Sequence, residues 1–392
     1  VSEIVLHCGH SREVIGRYPD EHFHAVVTSP PYWGHRDYEV PDLAWGEGWT
    51  GELGKEPNPS LYIEHLVEIF TEVDRVLRPD GVVWVNIGDG YTPGSASFRP
   101  GALDEGFRDN ELLTTTWRVA NALRGREGGG PLQWILVNDC IWSKRNPMPD
   151  SMPGWLYVAG DDCPDCGDGS CGKCWHGRVL EDNRGTGRSV ASHEYVFCMA
   201  KEGTYYYDCE AVREEPPEDS VDERVVGRHR RTVWELSTAS YRGEHLAPFP
   251  EDLVRICVKA STSEGGCCSV CGAQWMRVVD KKTLERYEIQ KGDPRHRPRR
   301  YSGKYDAIKG GGGTGMRYSA VETLGWRPSC VCGEGVVPSR VLDPFGGSGT
   351  TGLVCGSLGR DCVLIDVGSQ YVEQARERLD SELGLLANIR VE

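Results

Sequence analysis

The chain has 392 residues, 39% of them hydrophobic, with a mean hydropathy of −0.46, which fits a core-bearing protein of one large domain or two ordinary ones. No apolar run approaches the roughly 18 residues needed to span a bilayer, and the opening VSEIVLHCGHSREV lacks the basic-then-apolar order of a secretory signal, so no membrane and a cytoplasmic location are expected. With 44 Lys and Arg against 59 Asp and Glu the net charge is −15, which argues mildly against a nucleic-acid partner unless local clusters such as RVVGRHRR (224–231) and KGDPRHRPRRYSGK (291–304) supply phosphate contacts; solvated loops are the other reading of both.

In chain order, FHAVV (23–27) predicts a strand buried on both faces. It runs into TSPPYW, Thr28 to Trp33, where two prolines stand between a small hydroxyl and two large aromatics. From Tyr62 to Leu77, Ile63, Leu66, Val67, Phe70, Val73, Val76 and Leu77 recur at three- and four-residue steps, which predicts an amphipathic helix ended by RPDG. VVWVNIGD (82–89) is the next strand, and this alternation predicts an α/β sheet. A Gly-rich polar region, 90–131, holds one helix near Leu112–Leu123. WILVNDCIWS (134–143) and HEYVFCMAK (193–201) read as strands, with the cysteine-rich CPDCGDGSCGKCWHG (163–177) between them. FPEDLVRICVKA (249–260) reads as a helix, and residues 276–327, with KGGGGTG in the middle, as a long, partly mobile insertion. The end of the chain returns to α/β: strand SRVLD, loop PFGGSG, helix TTGLVCGSLG, strand DCVLID and helix SQYVEQARERLDSELG.

In VLDPFGGSGTT an apolar strand ends in an acid and turns through glycines into a helix, the arrangement of a ligand crevice at the strand ends of a doubly wound sheet. Gly347 and Gly349 permit a sharp turn and close backbone approach, Asp343 can accept hydrogen bonds from a ligand ammonium or hydroxyl, and Phe345 offers apolar surface. The loop lacks the Lys of a phosphate-binding P-loop. One strand later, Asp366 stands where an acid binds ribose hydroxyls. A phosphate-free nucleoside recognised by acids suggests S-adenosylmethionine; a purely structural turn is the competing reading.

Together these segments resemble the amino-group DNA methyltransferases of the permuted (β) class, in which a Ser/Asp-Pro-Pro-Tyr catalytic loop comes first and a Phe-x-Gly-x-Gly cofactor loop last. SPPY (Ser29–Tyr32) and FGGSG (Phe345–Gly349) carry the resemblance, with RVLRPDGVVWVNIGD, SHEYVFCMAK and HLAPFPEDL between them in the expected order, over most of 1–262 and 336–392. The resemblance implies a Rossmann-like, doubly wound, mostly parallel sheet, the S-adenosylmethionine-dependent methyltransferase fold, and double-stranded DNA as substrate. The target base leaves the duplex because its amine is unreachable while stacked. Tyr32 then stacks on it, and the Ser29 hydroxyl and Pro30 carbonyl, stiffened by Pro31, accept hydrogen bonds from the amine. The cofactor would be held by Asp343, Pro344, Phe345, Gly347, Gly349, Thr350, Thr351 and Asp366, with Phe249 of HLAPFPEDL. Family members often carry Gly-Asp-Cys near the start; here His10 of LHCGHSREVI stands in that place, as an adenine contact or a surface loop residue. Members with Ser-Pro-Pro-Tyr mostly methylate N4 of cytosine, which Trp33 also fits; adenine N6 is the alternative.

Sixteen cysteines in a reducing compartment point to metal. Cys163, Cys166, Cys171 and Cys174 have the C-x2-C-x4-C-x2-C spacing of a four-thiolate zinc site, with His176 a bystander or substitute ligand. Cys268 and Cys271 with Cys330 and Cys332 form a second, split set, for which Cys267 is an alternative ligand. Both would be closed, structural zinc sites. The expected division is therefore 1–158 and 186–262 for the catalytic half with candidate recognition segments, 159–185 for a zinc insert, 263–335 for a split zinc ribbon with the long insertion, and 336–392 for the cofactor half. A cognate restriction endonuclease is a possible partner. A zinc-dependent DNA-binding protein without catalysis, and an RNA or small-molecule methyltransferase, are the rival functions.

Overall fold

The computed structural model describes residues 1–34, 37–92, 105–108, 111–126, 130–147, 155–159, 178–182, 189, 191–215, 227–238, 249–283 and 319–392. They fall into two compact units: residues 1–207, 232–262 and 338–392 form the first, and 208–231 with 263–337 the second. Cys163, Cys166, Cys171, Cys174 and His176, the KGGGGTG stretch and the basic run 291–304 lie outside the described residues.

The first unit is built on a nine-stranded sheet. Its strands are β1 (Ser2–Cys8), β2 (Phe23–Thr28), β3 (Leu77–Ile87), β4 (Ile135–Lys144), β5 (His193–Ala200), β6 (Val233–Leu236), β7 (Arg340–Asp343), β8 (Asp361–Asp366) and β9 (Ala387–Val391), in the spatial order β6-β4-β5-β3-β2-β7-β8-β1-β9. Only β5 runs against its neighbours, β3 and β4; the other pairs are parallel. The carboxyl ends of eight strands therefore share one edge, and β5 brings its amino end, His193-Glu194, to that same edge. The chain winds outward in both directions from the adjacent pair β2 and β7, which makes their ends the switch-point crevice of a doubly wound sheet.

Among the described residues six α-helices flank the sheet: α1 (Ser11–Ile15), α2 (Pro59–Val76), α3 (Thr115–Leu123), α4 (Glu251–Ser261), α5 (Thr350–Ser357) and α6 (Ser369–Leu383). The first three pack in series and share one apolar core with the sheet, and α4, α5 and α6 pack in series as the second layer. In α2 the predicted apolar positions Ile63, Leu66, Phe70, Val73 and Val76 are buried, and Asn58 caps the helix by accepting from the Leu61 amide at 2.8 Å. RPDG does not separate α2 from the next strand. It lies inside β3, whose Leu77 pairs with Phe23 before the register shifts, and Arg78 and Asp80 form an ion pair at 2.9 Å there. β1, β6 and β9 were not among the predicted strands; β6 and β9 are edge strands of mixed exposure, with little alternation to read.

In the second unit Cys267–Cys268 pairs antiparallel with Val336–Val337. The two ends of the long insertion form an antiparallel hairpin, Met276–Thr283 with Ser319–Arg327, bulged between Val278 and Val279. Arg277 ties this unit together: it pairs with Asp208 at 2.9 Å and Glu264 at 2.8 Å and lies over the Trp326 ring. Among the described residues no helix is long and apolar enough to cross a membrane.

Candidate active site

The SPPY loop leaves the end of β2 at the switch point and is pinned from both sides. The Tyr62 hydroxyl of α2 donates to the Pro31 carbonyl at 2.7 Å, the Trp33 indole donates to the Glu56 carbonyl at 2.9 Å, and the Gly34 amide donates to the Gly54 carbonyl at 2.7 Å. Glu56 is held in turn: its buried carboxylate meets His65 Nδ1 at 2.9 Å and the Gly54 amide at 2.8 Å, and the His65 ring is stacked against Trp45 and Trp49. With the proline φ angles fixed as well, the loop has little freedom left.

The Tyr32 ring lies against Gly88, where an added Cβ would come within 2.8 Å of Tyr32 Cε2. Its hydroxyl donates to Glu194 Oε2 at 2.7 Å and lies 3.3 Å from the Ser29 hydroxyl. Burial, with the Glu194 carboxylate beside it, pushes the Tyr32 phenol well above its ordinary pKa, so it remains a donor. The Asn86 amide reaches Glu194 Oε2 at 2.8 Å, the Tyr32 hydroxyl at 3.0 Å and the Ser29 hydroxyl at 3.4 Å, and Lys144 closes the group with a 2.6 Å bond to Glu194 Oε1. A small cleft beside Tyr32 is lined by Trp33, Tyr62, Ile87, Asp89 and Thr115. Burial raises the Asp89 carboxyl, against hydrogen bonds from the Gly90 and Thr115 amides. Asn86, Glu194, Lys144 and Asp89 were missed by motif reading. The one available signal was Asn86, a polar residue interrupting the apolar VVWVNI; Glu194 and Lys144 stand at the ends of their strands, where a polar residue is unremarked.

The glycine loop sits next to the SPPY loop, because β7 pairs with β2. Gly347 and Gly349 are in the left-handed region, at φ 49° and 77°, so a side chain at either would be strained. Asp343 is fully buried. Its Oδ1 accepts from the Thr28 hydroxyl at 2.6 Å and the Phe345 amide at 3.1 Å, and its Oδ2 from the Thr351 hydroxyl at 2.6 Å, so this carboxylate braces the two loops against each other. Asp366 takes the Gly347 and Gly368 amides, one on each oxygen, both at 2.9 Å. Burial lifts both carboxyls to about 6. Thr350 faces Arg378, whose guanidinium is paired with Glu251 and Glu382 at 2.9 Å each, so this cation is already balanced. The Pro344 carbonyl accepts from the Ser11 hydroxyl at 2.6 Å, and Phe345 packs against the apolar core. Phe249 is half-buried just before α4. His10 is buried, not on a surface loop. Its Nδ1 accepts from the Arg12 amide at 3.3 Å, its ring tilts over Trp45, and its buried Nε2 has no partner among the described residues. Burial lowers its pKa and keeps the ring neutral.

In the second unit the sulfurs of Cys268, Cys271, Cys330 and Cys332 lie within 4.8 Å of one another. A tetrahedral zinc with bonds of about 2.3 Å needs such spacing. Cys267 is turned away, toward the Val337 carbonyl at 3.5 Å. Of the basic run 224–231, Arg228 and Arg231 both pair with Glu214, and Arg230 donates to the Val212 carbonyl at 2.8 Å.

Residues 23–269 and 339–377 match the N4/N6 methyltransferase family described as DNA methylase. The Type II methyltransferase M.SmaI of Serratia marcescens is 30% identical over 385 residues, covering 95% of this chain and 89% of that protein. The Type II methyltransferase M.Cfr9I of Citrobacter freundii is 30% identical over 387 residues, covering 95% and 87%. The fold is similar to that of the cytosine-N4-specific PvuII DNA methyltransferase, with a TM-score of 0.52 at 14% identity over all of this chain and 95% of that one. The chain belongs to this DNA methylase family. It is a DNA amino-methyltransferase, directed at N4 of cytosine or N6 of adenine.

Proposed function

We propose that the protein transfers a methyl group from S-adenosylmethionine to N4 of a cytosine extruded from a specific site in duplex DNA. The observation that carries the choice of base is Ser29: the residue that opens the catalytic loop is a hydroxyl, backed by the Asn86 amide, and not a carboxylate. Cytosine's exocyclic amine is a poor nucleophile because its lone pair is delocalised. Accepting its hydrogens at Ser29 Oγ and the Pro30 carbonyl would favour tetrahedral geometry at nitrogen and aim the lone pair, so positioning does most of the work. Bound S-adenosylmethionine would supply a methyl group activated by a sulfonium. The residues around the glycine loop fit it: two left-handed glycines, an Asp366 carboxylate still able to accept from ribose hydroxyls, a His10 Nε2 with no partner among the described residues, and an Arg378 beside the loop whose charge is balanced by Glu251 and Glu382. The order of the two loops along the chain is that of the permuted class, and the Type II relatives support a restriction–modification setting with a cognate endonuclease.

The test is methylation-aware sequencing of DNA from cells that express the protein, with labelled-methyl transfer in vitro. N4-methylcytosine at one recurring motif is the expected result. N6-methyladenine in its place would overturn the assignment of the base, and no incorporation by a DNA-binding preparation would favour a binding module. Ser29→Ala and Tyr32→Ala are each expected to lower kcat about 100-fold or more while leaving cofactor Kd within a few-fold, because the cofactor is assigned to the glycine loop, Asp366 and His10 and not to these two side chains.

The Cys268, Cys271, Cys330 and Cys332 cluster is assigned to one structural zinc, since four thiolates leave no open coordination position. Metal analysis of the purified chain should lose one equivalent of zinc on Cys271→Ser. Chelation should abolish slow hydrogen exchange at the Cys268 and Gly272 amides, whose bonds to Ala273 and Cys268 close this knuckle. Unchanged zinc content in that variant would sink the assignment.

A further inference from the structure

The family chemistry asks only for the ring of Tyr32, since stacking on an extruded base uses a π-face. The hydroxyl is nevertheless the hub of a buried polar group. Asn86 of β3, 2% exposed, and Glu194 of β5 are polar side chains at the reactive end of the sheet that both bond this one phenol, and Lys144 of β4 bonds Glu194 in turn. Their meeting depends on topology. β5 alone runs antiparallel, so its second residue, Glu194, arrives at the edge where β2, β3 and β4 end. Gly88 makes the room: a Cβ there would stand 2.8 Å from the Tyr32 ring and 3.4 Å from Glu194 Cδ.

The geometry points to Glu194 as a positioning residue for methyl transfer: it anchors the Tyr32 hydroxyl, and through it the stacking ring and the neighbouring Ser29 hydroxyl, with Lys144 balancing its charge. A stacking ring on a loop can rock about its χ angles. A carboxylate that accepts from the phenol at 2.7 Å, itself fixed by Asn86 and Lys144, removes that motion before the base arrives. Lys144 is needed because an unbalanced carboxylate so little exposed would be costly beside a pocket meant for a neutral base. Glu194 touches neither base nor cofactor in this arrangement. It acts through Tyr32. The inference rests on the reading of Tyr32 as the base-stacking residue.

Glu194→Gln discriminates between anchor and filler. A glutamine has one acceptor oxygen, for which Lys144 and the Tyr32 hydroxyl compete. The expected result is a fall in kcat of about 10- to 100-fold with KM for DNA changed less than threefold, the signature of lost orientation. Tyr32→Phe keeps the ring and removes the anchored group, so it should fall by a similar factor. Tyr32→Phe/Glu194→Gln should be no worse than the more damaging single variant. Glu194→Gln/Lys144→Met removes the competitor and should recover a large part of kcat. Each variant is compared at equal folded fraction by thermal melting, and methylation is read at both cytosine N4 and adenine N6. Near-wild-type kcat in Glu194→Gln, multiplying losses in the double variant, or no rescue by Lys144→Met would each overturn the anchor. A wild-type protein that methylates neither base would instead overturn the reading beneath it.

Discussion

At the scale of single residues, the site is crowded with side chains whose job is to hold others. Asp343 has both oxygens occupied by Thr28, Thr351 and the Phe345 amide. Asn86 bridges Ser29, Tyr32 and Glu194. Gly88 belongs to the same set by being empty. Gly88→Ala would drive a methyl into the Tyr32 ring, and because that ring is held by Glu194 and the neighbouring backbone it has nowhere to go. A loss of about 1–3 kcal/mol in urea unfolding is expected, the range for overpacking, together with a drop in methylation beyond what the lost folded fraction explains. Of the residues at this scale, Ser29, Tyr32, Gly347, Gly349 and Asp366 are readable from motif, since each motif fixes both residue type and spacing. Glu194 and Lys144 are not, because 50 residues separate them in sequence and no local pattern joins them.

Among the elements, α2 shows how local signals fix a boundary. The 3.6-residue apolar repeat locates its body, and Asn58 with Pro59 fixes its start three residues earlier than the repeat alone suggests. Asn58→Ala should cost about 1 kcal/mol, the usual value of an N-cap, seen as a lower urea midpoint with an unchanged m-value. The helix ends at Val76, within one residue of the predicted Leu77, but the start of the next strand was misplaced for a tertiary reason. RPDG has the composition of a turn, yet Leu77 pairs with Phe23 and draws these residues into β3. The edge strands β6 and β9 were unread for a related reason: with one neighbour each, they need little of the apolar pattern that marks a buried strand.

For the molecule as a whole, the buried acid at the switch point has a consequence for stability. Burial raises Asp343 to about 6 against an ordinary 3.8, so between those values the folded chain binds more protons than the unfolded one. Stability from this group therefore falls as pH rises through about 4 to 6, by roughly 3 kcal/mol once the carboxyl is fully ionised, and is flat above that. Asp343→Asn should abolish the contribution: the difference in unfolding free energy between wild type and variant, followed by urea titration from pH 4.5 to 7.5, should change sharply below pH 6 and level off above it. A parallel pH dependence in both proteins would refute this account.

The sequence by itself determined the alternation of strands and helices, the two candidate loops, their order, and the four cysteines of the second cluster. All of these are local patterns: periodicity, turn composition, or fixed spacing. Only the tertiary structure decided which residues meet across distance. The parallel pairing of β2 with β7 puts residue 28 against residue 343, and the single reversed strand brings Glu194 onto Tyr32. Sheet order and strand direction are set by how whole faces bury against one another, a property of the assembled layers that no short stretch of sequence contains.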